Sequence, residues 1–421
     1  MPSYRAAWIL PIADDPIHDG WVSIAANRIS GLGGSASDGT SLRRDPPSID
    51  LGSSVILPAL VNAHTHLELS YLHGRVPPDR SFTSWIRSLM ALRRGYPDPS
   101  APEILTAARA AIAAARSHGT GLIGDVSNTL VTIPLLREAQ MPAQVFYELL
   151  GFNVADPQAR VNAAAAAVAA DESTSDVRTT LAPHAPYSVS PGMFRAIRAA
   201  VDERPAPVSA VHLGESADEV EFLKQGSGPF RVLLEELGVW SPDWEPPGTS
   251  PVGYLSDLEF LDRCVLVVHG VQFDGDDLSR LSSLGVTIAS CPRSNVHVGV
   301  GSPPLEAFYA MDVNVAFGTD SLASVADLNM FAELKEARRI APRVPARRLL
   351  ESATLTGARA LGFSDDFGSI EAGKRAALIA VRVPEGVRDV EEYLLSGIEP
   401  EAVQWLDPPA PNSQFPIRTG G

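Results

Sequence analysis

Eight short apolar runs along the chain each end in a polar residue able to do chemistry, and the first ends in His64-Thr65-His66. That run reads VILPALVNAHTH. The others read TGLIGDV, AQVFYELLG, VRTTLAPHAP, PVSAVHLGE, CVLVVHGVQ, VTIASCPRSN and VNVAFGTDS. In a parallel β/α barrel all strand ends open on one mouth, so residues far apart in sequence converge on a single site. The terminal residues include His64, His66, Asp125, Glu148, His184, His212, Glu215, His269 and Asp320. Such an inventory is that of a metal site with catalytic partners, and it predicts an enzyme.

The spacing between runs fits the same architecture. SFTSWIRSLMALRRG is amphipathic, PEILTAARAAIAAARSHG carries apolar residues at helical spacing up to Gly119, and RVNAAAAAVAADES is Ala-rich and helical. ARRLLESATLTGARALG at 346–362 predicts a last helix closed by Gly362, and SPDWEPPGTSPVG at 241–253 predicts a surface loop. The ends read differently. YRAAWIL, WVSIAANRISGLG and, far downstream, GSIEAGKRAALIAVRVP are short strand-like runs that cannot each bury a core alone. The expected fold is therefore α/β: a (β/α)8 TIM-type barrel over 58–363. A small β-sandwich domain is expected to be assembled from 1–57 and 364–421. At 421 residues the chain has room for a barrel of roughly 250 to 300 residues plus that appendage.

Composition narrows the partners. With 34 basic against 50 acidic residues the net charge is −16, which offers no diffuse basic surface to a phosphate backbone. Nucleic acid is excluded as a partner, whereas a nucleoside-sized molecule needs no such field. Two cysteines, Cys264 and Cys291, make no disulfide framework and fit a reducing compartment. MPSYRAAWILPIADD is too short and too broken to be a signal peptide, and no run approaches the roughly 18 apolar residues of a membrane helix. The expected location is cytoplasmic. Homodimerisation is left open.

Two histidines at i and i+2 on a strand share a face, about 6.6 Å apart, near enough to hold one ion. In a chain with nine histidines that pair alone means little. His212 closing PVSAVH, His269 closing CVLVVH and Asp320 closing VNVAFGTD give it company, and together they predict a divalent metal.

With these motifs in view (PALVNAHTH, APHAPYSVSP, VHLGES, VHG, CPRSN, FGTDS), the chain resembles the amidohydrolase superfamily over nearly its whole length. The resemblance implies His64, His66, His212 and Asp320 as ligands of one metal, with Glu215, His269 and Asp320 as the catalytic residues. Binuclear members carry a lysine where this chain has His184, so a mononuclear site is expected. Zinc suits a His₃Asp set, and iron fits the same ligands. The His-x-x-Glu of His212 and Glu215 resembles that of the nucleoside deaminases in this superfamily. There the metal makes hydroxide available and the acid protonates a ring nitrogen before ammonia leaves. The alternative for Glu215 is a carboxylate that only stabilises a helix N-terminus.

The same resemblance sets expectations for substrate. His184 is expected to meet the purine ring. Trp85 in SFTSW matches the methylthioadenosine/S-adenosylhomocysteine deaminases, but the ribose-binding glutamate found downstream of it there is replaced by Ala91-Leu92-Arg93-Arg94. Glu68 in HTHLELS resembles the aminodeoxyfutalosine deaminases, whose nucleoside carries a benzoate. Arg93, Arg94 and Arg293, with Arg87, are the cations available to a carboxylate, although each also reads as a solvated helix charge. Asn295 and Ser321 complete the expected substrate contacts. The preferred substrate is 6-aminodeoxyfutalosine, a purine nucleoside of menaquinone synthesis. Alternatives are adenosine, methylthioadenosine or S-adenosylhomocysteine deamination, guanine or cytosine deamination, and chlorohydrolysis. A metal-free scaffold is the non-enzymatic alternative, and it would need gaps at the strand ends. His73 and His297 carry weaker signals, and His18 and His118 none.

Overall fold

The computed structural model describes residues 2–34, 48–79, 81–170 and 174–406. Their strands run in chain order β1 Ser3–Ile9, β2 Ile17–Ala25, β3 Arg28–Gly34, β4 Ser48–Asp50, β5 Ser54–Pro58, β6 Leu60–Thr65, β7 Thr120–Ser127, β8 Ala143–Leu149, β9 Val177–Pro183, β10 Ser209–Leu213, β11 Val265–His269, β12 Thr287–Ser290, β13 Asn314–Phe317, β14 Leu378–Arg382 and β15 Val403–Trp405. Each of the eight apolar runs contains one of the strands β6 to β13.

Those eight strands form two parallel four-stranded ladders, β6-β7-β8-β9 and β10-β11-β12-β13. Helices connect most successive strands, and β6, β7, β10, β11 and β12 are buried at every position. That is the pattern of parallel strands covered on both faces. Backbone hydrogen bonds bridge the ladders at both seams: His212 N–H donates to the His184 carbonyl at 2.9 Å, and Asp320 N–H to the His64 carbonyl at 3.1 Å. Gly318 makes the second seam feasible, because a Cβ there would lie 2.7 Å from the His64 carbonyl oxygen. The strands from the two chain ends share one sheet in the order β15-β14-β5-β1-β2-β3, with β4 alongside β1. Only Ala59 separates β5 from β6, so the chain passes directly from that sheet into the strand that leads to His64 and His66.

Local structure follows the sequence closely in the helices. Phe82–Arg94 starts at Ser81, whose hydroxyl accepts the Ser84 N–H, and ends with Arg93 and Arg94 where cations favour the helix dipole. The segment 346–362 contains a π-turn at Ser352–Thr356 and ends at Gly362 with φ +75°. Residues 241–250 form the surface loop expected of them, without helix or strand and with none buried, though anchored at one ring. Trp244 stacks on the fully buried Phe222 with ring centroids 4.6 Å apart, and a helix, Pro251–Asp257, begins before the end of the predicted 241–253 stretch. No helix among the described residues is long and apolar enough to cross a membrane.

Candidate active site

Where the two ladders meet, three imidazoles gather around His64. Its ring centroid lies 4.9 Å from those of His66 and His212 and 5.9 Å from that of His269. Asp320 Oδ1 stands 3.8 Å from His64 Nε2 and 3.6 Å from His66 Nε2. Donor atoms of His64, His66 and Asp320 fall within 4.8 Å of one another, as do those of His64, His212 and His269. Both ring nitrogens of His64 are buried without a hydrogen-bond partner. Orphaned imidazole nitrogens facing a carboxylate are costly unless something electropositive binds them, so this set fits a divalent ion.

Surrounding bonds aim these groups. His212 Nδ1 donates to the His184 carbonyl at 3.2 Å, which leaves Nε2 for a ligand. Asp320 Oδ2 accepts from Ser294 Oγ at 2.6 Å, and Oδ1 from the Ser321 N–H at 2.7 Å. Asn295 Nδ2 donates to His269 Nδ1 at 3.0 Å, so the neutral ring carries its proton on Nε2. His269 and Asp320 both hold left-handed backbone, φ +77° and +60°, a conformation costing about 1–3 kcal/mol each that often clusters at working sites. Asp125 does not reach the cluster. Its buried carboxyl accepts from the Leu67 N–H at 2.9 Å and the Thr132 hydroxyl at 2.6 Å, fixing the backbone just past His66.

Burial and mutual repulsion hold His66, His212 and His269 neutral, the form that ligates metals. His66 is lowered to about 3 by burial and by His64, His269 to about 3 chiefly by burial, and His212 well below its usual range by burial and then His64. Burial alone would raise Asp320, but the imidazoles of His64, His66 and His269 hold it well below the usual carboxylate range. Glu215 goes the other way. Burial, then Asp320 and Glu219, raise its carboxyl well above the ordinary value, and Oε1 sits 3.5 Å from His269 Nε2. An acid held protonated beside a carboxylate held ionised is an acid–base arrangement set by environment.

Above the cluster opens a chamber of about 470 Å³ whose lining includes His66, His184, His212, Glu215, His269, Asp320 and Ser321. Its walls are apolar, from Phe82, Trp85 and Leu89 on one helix and Phe230, Leu233 and Leu234 on the helix Pro229–Glu236. Tyr187 stacks on Phe230 with centroids 3.8 Å apart. Arg93 and Arg94 also line the chamber. Arg93 is bound to Glu68 at 3.3 Å and to Asn128 Oδ1 at 3.2 Å, whereas Arg94 has no partner among the described residues. His184 Nδ1 lies 2.6 Å from Ser188 Oγ, whose hydroxyl donates to the Ala185 carbonyl. The ring therefore donates through Nδ1 and keeps an accepting Nε2.

Three residues expected against the substrate do not line this chamber. Glu68 is buried beside it and saturated by donors, from Ser127 Oγ and Thr129 Oγ1 at 2.7 Å, the N–H groups of Asn128 and Thr129 at 3.1 and 3.2 Å, and Arg93. Its free side faces a smaller cavity of about 210 Å³. Arg293 is spent on Asp327 at 2.9 Å and Glu333 at 3.6 Å, and Asn295 on His269. Arg87 pairs with Glu236, His297 with the Val76 carbonyl, and His73 is exposed. The sequence reading missed Ser294, although it stands between Arg293 and Asn295 in CPRSN. It also missed the wall helix Pro229–Glu236, which carries no chemical signature.

A buried imidazole–carboxylate cage where parallel strands converge, with a protonated acid at its edge and an apolar chamber above, defines a hydrolase of the β/α class. The chain belongs to the amidohydrolase family, whose model it matches over residues 55–401. It is 29% identical over 386 residues to a 5-methylthioadenosine/S-adenosylhomocysteine deaminase of Moorella thermoacetica, spanning 89% of this chain and 83% of that one. It is 30% identical over 341 residues to an aminodeoxyfutalosine deaminase of Deinococcus radiodurans, spanning 76% and 77%. Among solved structures, an adenosine deaminase of Xanthomonas campestris with bound zinc is similar at a TM-score of 0.77 and 25% identity, over 96% of this chain and 90% of that one.

Proposed function

We propose that this protein is a metal-dependent deaminase of adenine nucleosides, and that its substrate is 6-aminodeoxyfutalosine. The observation that carries deamination is the buried, proton-holding Glu215 next to the cage of His64, His66, His212 and Asp320. His64, His66, His212 and Asp320 would hold one ion, zinc in our reading with iron also compatible, which when bound would lower the pKa of a water from 15.7 to roughly 7. Glu215 protonates a purine ring nitrogen, making the amino-bearing carbon electrophilic. Ionised Asp320 takes up the proton that the attacking water loses, and neutral His269 orients the attacking oxygen through its Nε2–H. The two protons of the water then pass through Asp320 and Glu215, one to the departing amine, which leaves as ammonia, and one to the Glu215 carboxylate, which is an acid again. His184 accepts at the purine edge through Nε2, and the apolar walls of the chamber strengthen each of these contacts.

The choice of nucleoside rests on the walls. Phe82, Trp85 and Leu89 offer an apolar face to an aryl group, and Arg94, without a partner among the described residues, offers a cation to a carboxylate. The name of the Deinococcus relative supports this reading, and with it a place in menaquinone synthesis. The same apolar walls also suit a methylthio group, and the Moorella relative's name favours that second reading. Architecturally, we read the two ladders as halves of one eight-stranded barrel over 58–363, and the terminal strands as a β-sandwich from 1–57 and 364–421. The hydrogen bonds across both seams support the barrel. An ammonia-release screen over adenosine, methylthioadenosine, S-adenosylhomocysteine, guanine and aminodeoxyfutalosine tests the proposal. Strongest turnover of aminodeoxyfutalosine is expected. Turnover of a carboxylate-free substrate with none of aminodeoxyfutalosine overturns the choice.

A further inference from the structure

We propose that Glu219 is a positioning residue that locks the Gly214–Glu215 turn and so fixes the acid of the reaction; this rests on the role of Glu215 argued above. The helix Ala217–Gln225 already has its cap, because Ser216 Oγ accepts the Glu219 N–H at 3.3 Å. In an ordinary capping box the acid at the third helical position bonds back to the N–H of the cap residue itself. Glu219 occupies that third position but reaches further. Its Oε1 accepts from Gly214 N–H and its Oε2 from Glu215 N–H, each at 3.1 Å. The two amides held are those between the strand that delivers His212 and the side chain of Glu215.

A completely buried carboxyl is an expensive way to end a helix. Among the described residues its hydrogen-bond donors are two neutral amides, and burial pushes it up to about 8. Helix capping does not explain that cost, since Ser216 serves there. Holding the turn does. Gly214 has φ +64°, and a Cβ on it would lie 2.3 Å from the Phe273 ring, so the turn fills a tight space with one backbone path. Glu219 pins that path from behind.

The test compares the metal-loaded full-length protein with its Glu219→Gln variant, which keeps shape but opposes an NH₂ to one backbone N–H, and with Glu219→Asp, which keeps charge but shortens the reach. Amide hydrogen exchange over residues 211–216, metal content, melting temperature, kcat and KM are read together. The expected result for Glu219→Gln is exchange at 214–215 faster by about tenfold or more and kcat lower by a similar factor, with KM changed less than about twofold. Metal stoichiometry is expected to be unchanged, and Glu219→Asp to lie between the two. Wild-type exchange and kcat in Glu219→Gln overturn the proposal, as does a kcat loss that only tracks lost metal or lost folded protein. If the wild type deaminates no nucleoside, the functional reading fails, and the exchange measurement alone decides Glu219.

Discussion

Removing the Glu68 carboxylate separates a substrate contact from a structural anchor. The sequence places it directly after the metal pair, which invites a role against substrate. In the structure its two oxygens receive five donors, two of them backbone N–H groups on the loop leaving β7. Glu68→Ala strands those donors and the Arg93 guanidinium. Bonds to a charged group contribute about 1.5–3 kcal/mol each, but five that share one carboxylate do not add. Water entering from the adjacent 210 Å³ cavity would satisfy some of the donors. The appropriate figure is that for breaking a buried pair, roughly 3–5 kcal/mol. At a urea m-value of about 3 kcal/mol per molar, the unfolding midpoint falls by roughly 1–1.7 M. The assay is urea unfolding followed by fluorescence, with KM measured on the folded protein. A midpoint loss under about 0.3 M with a tenfold higher KM would refute this reasoning and return Glu68 to the substrate.

Other expectations follow from the same geometry. Glu215→Gln keeps its metal and loses about 10²–10⁴ in kcat, measured with metal content on the same sample. In the wild type, activity falls as pH rises through the elevated Glu215 pKa, because the acid must start protonated; an activity that climbs steadily with pH would contradict this. Arg94→Ala raises KM about tenfold for a carboxylate-bearing nucleoside and leaves that for methylthioadenosine unchanged, in steady-state comparisons of the two. Asp125 is raised from 3.8 to about 7, chiefly by burial. Its folded form holds the proton more tightly than the unfolded chain, so its stabilisation is complete below about pH 4 and lost as pH climbs through 7. Asp125→Asn should therefore flatten the pH dependence of unfolding over that window relative to wild type.

The strand ends were legible because they obey local rules. An apolar run closed by His or Asp states both where a parallel strand lies and what it delivers, and His64, His66, His212, His269 and Asp320 do meet in space. Glu215 could be read from its spacing after His212. Glu68 and Arg293 misled for a physical reason: what occupies a charge is decided by residues distant in sequence, Ser127 to Thr129 for one and Asp327 with Glu333 for the other. No local pattern reports that pairing. The apolar wall from Phe230 to Leu234 was equally invisible, since an amphipathic helix reads the same whether its buried face meets core or ligand. Glu219 had a signal in principle, an acid three residues past a capping serine, but its reach to Gly214 and Glu215 depends on the fold of the turn.

Metal analysis of the purified protein, with its His64→Ala and Asp320→Ala variants, tests the central claim most directly. The account predicts one tightly bound divalent ion per chain, ligated by nitrogen and oxygen at about 2.0–2.2 Å in X-ray absorption, and its loss from both variants. Wild-type protein without metal, or variants that keep a full equivalent, would contradict it.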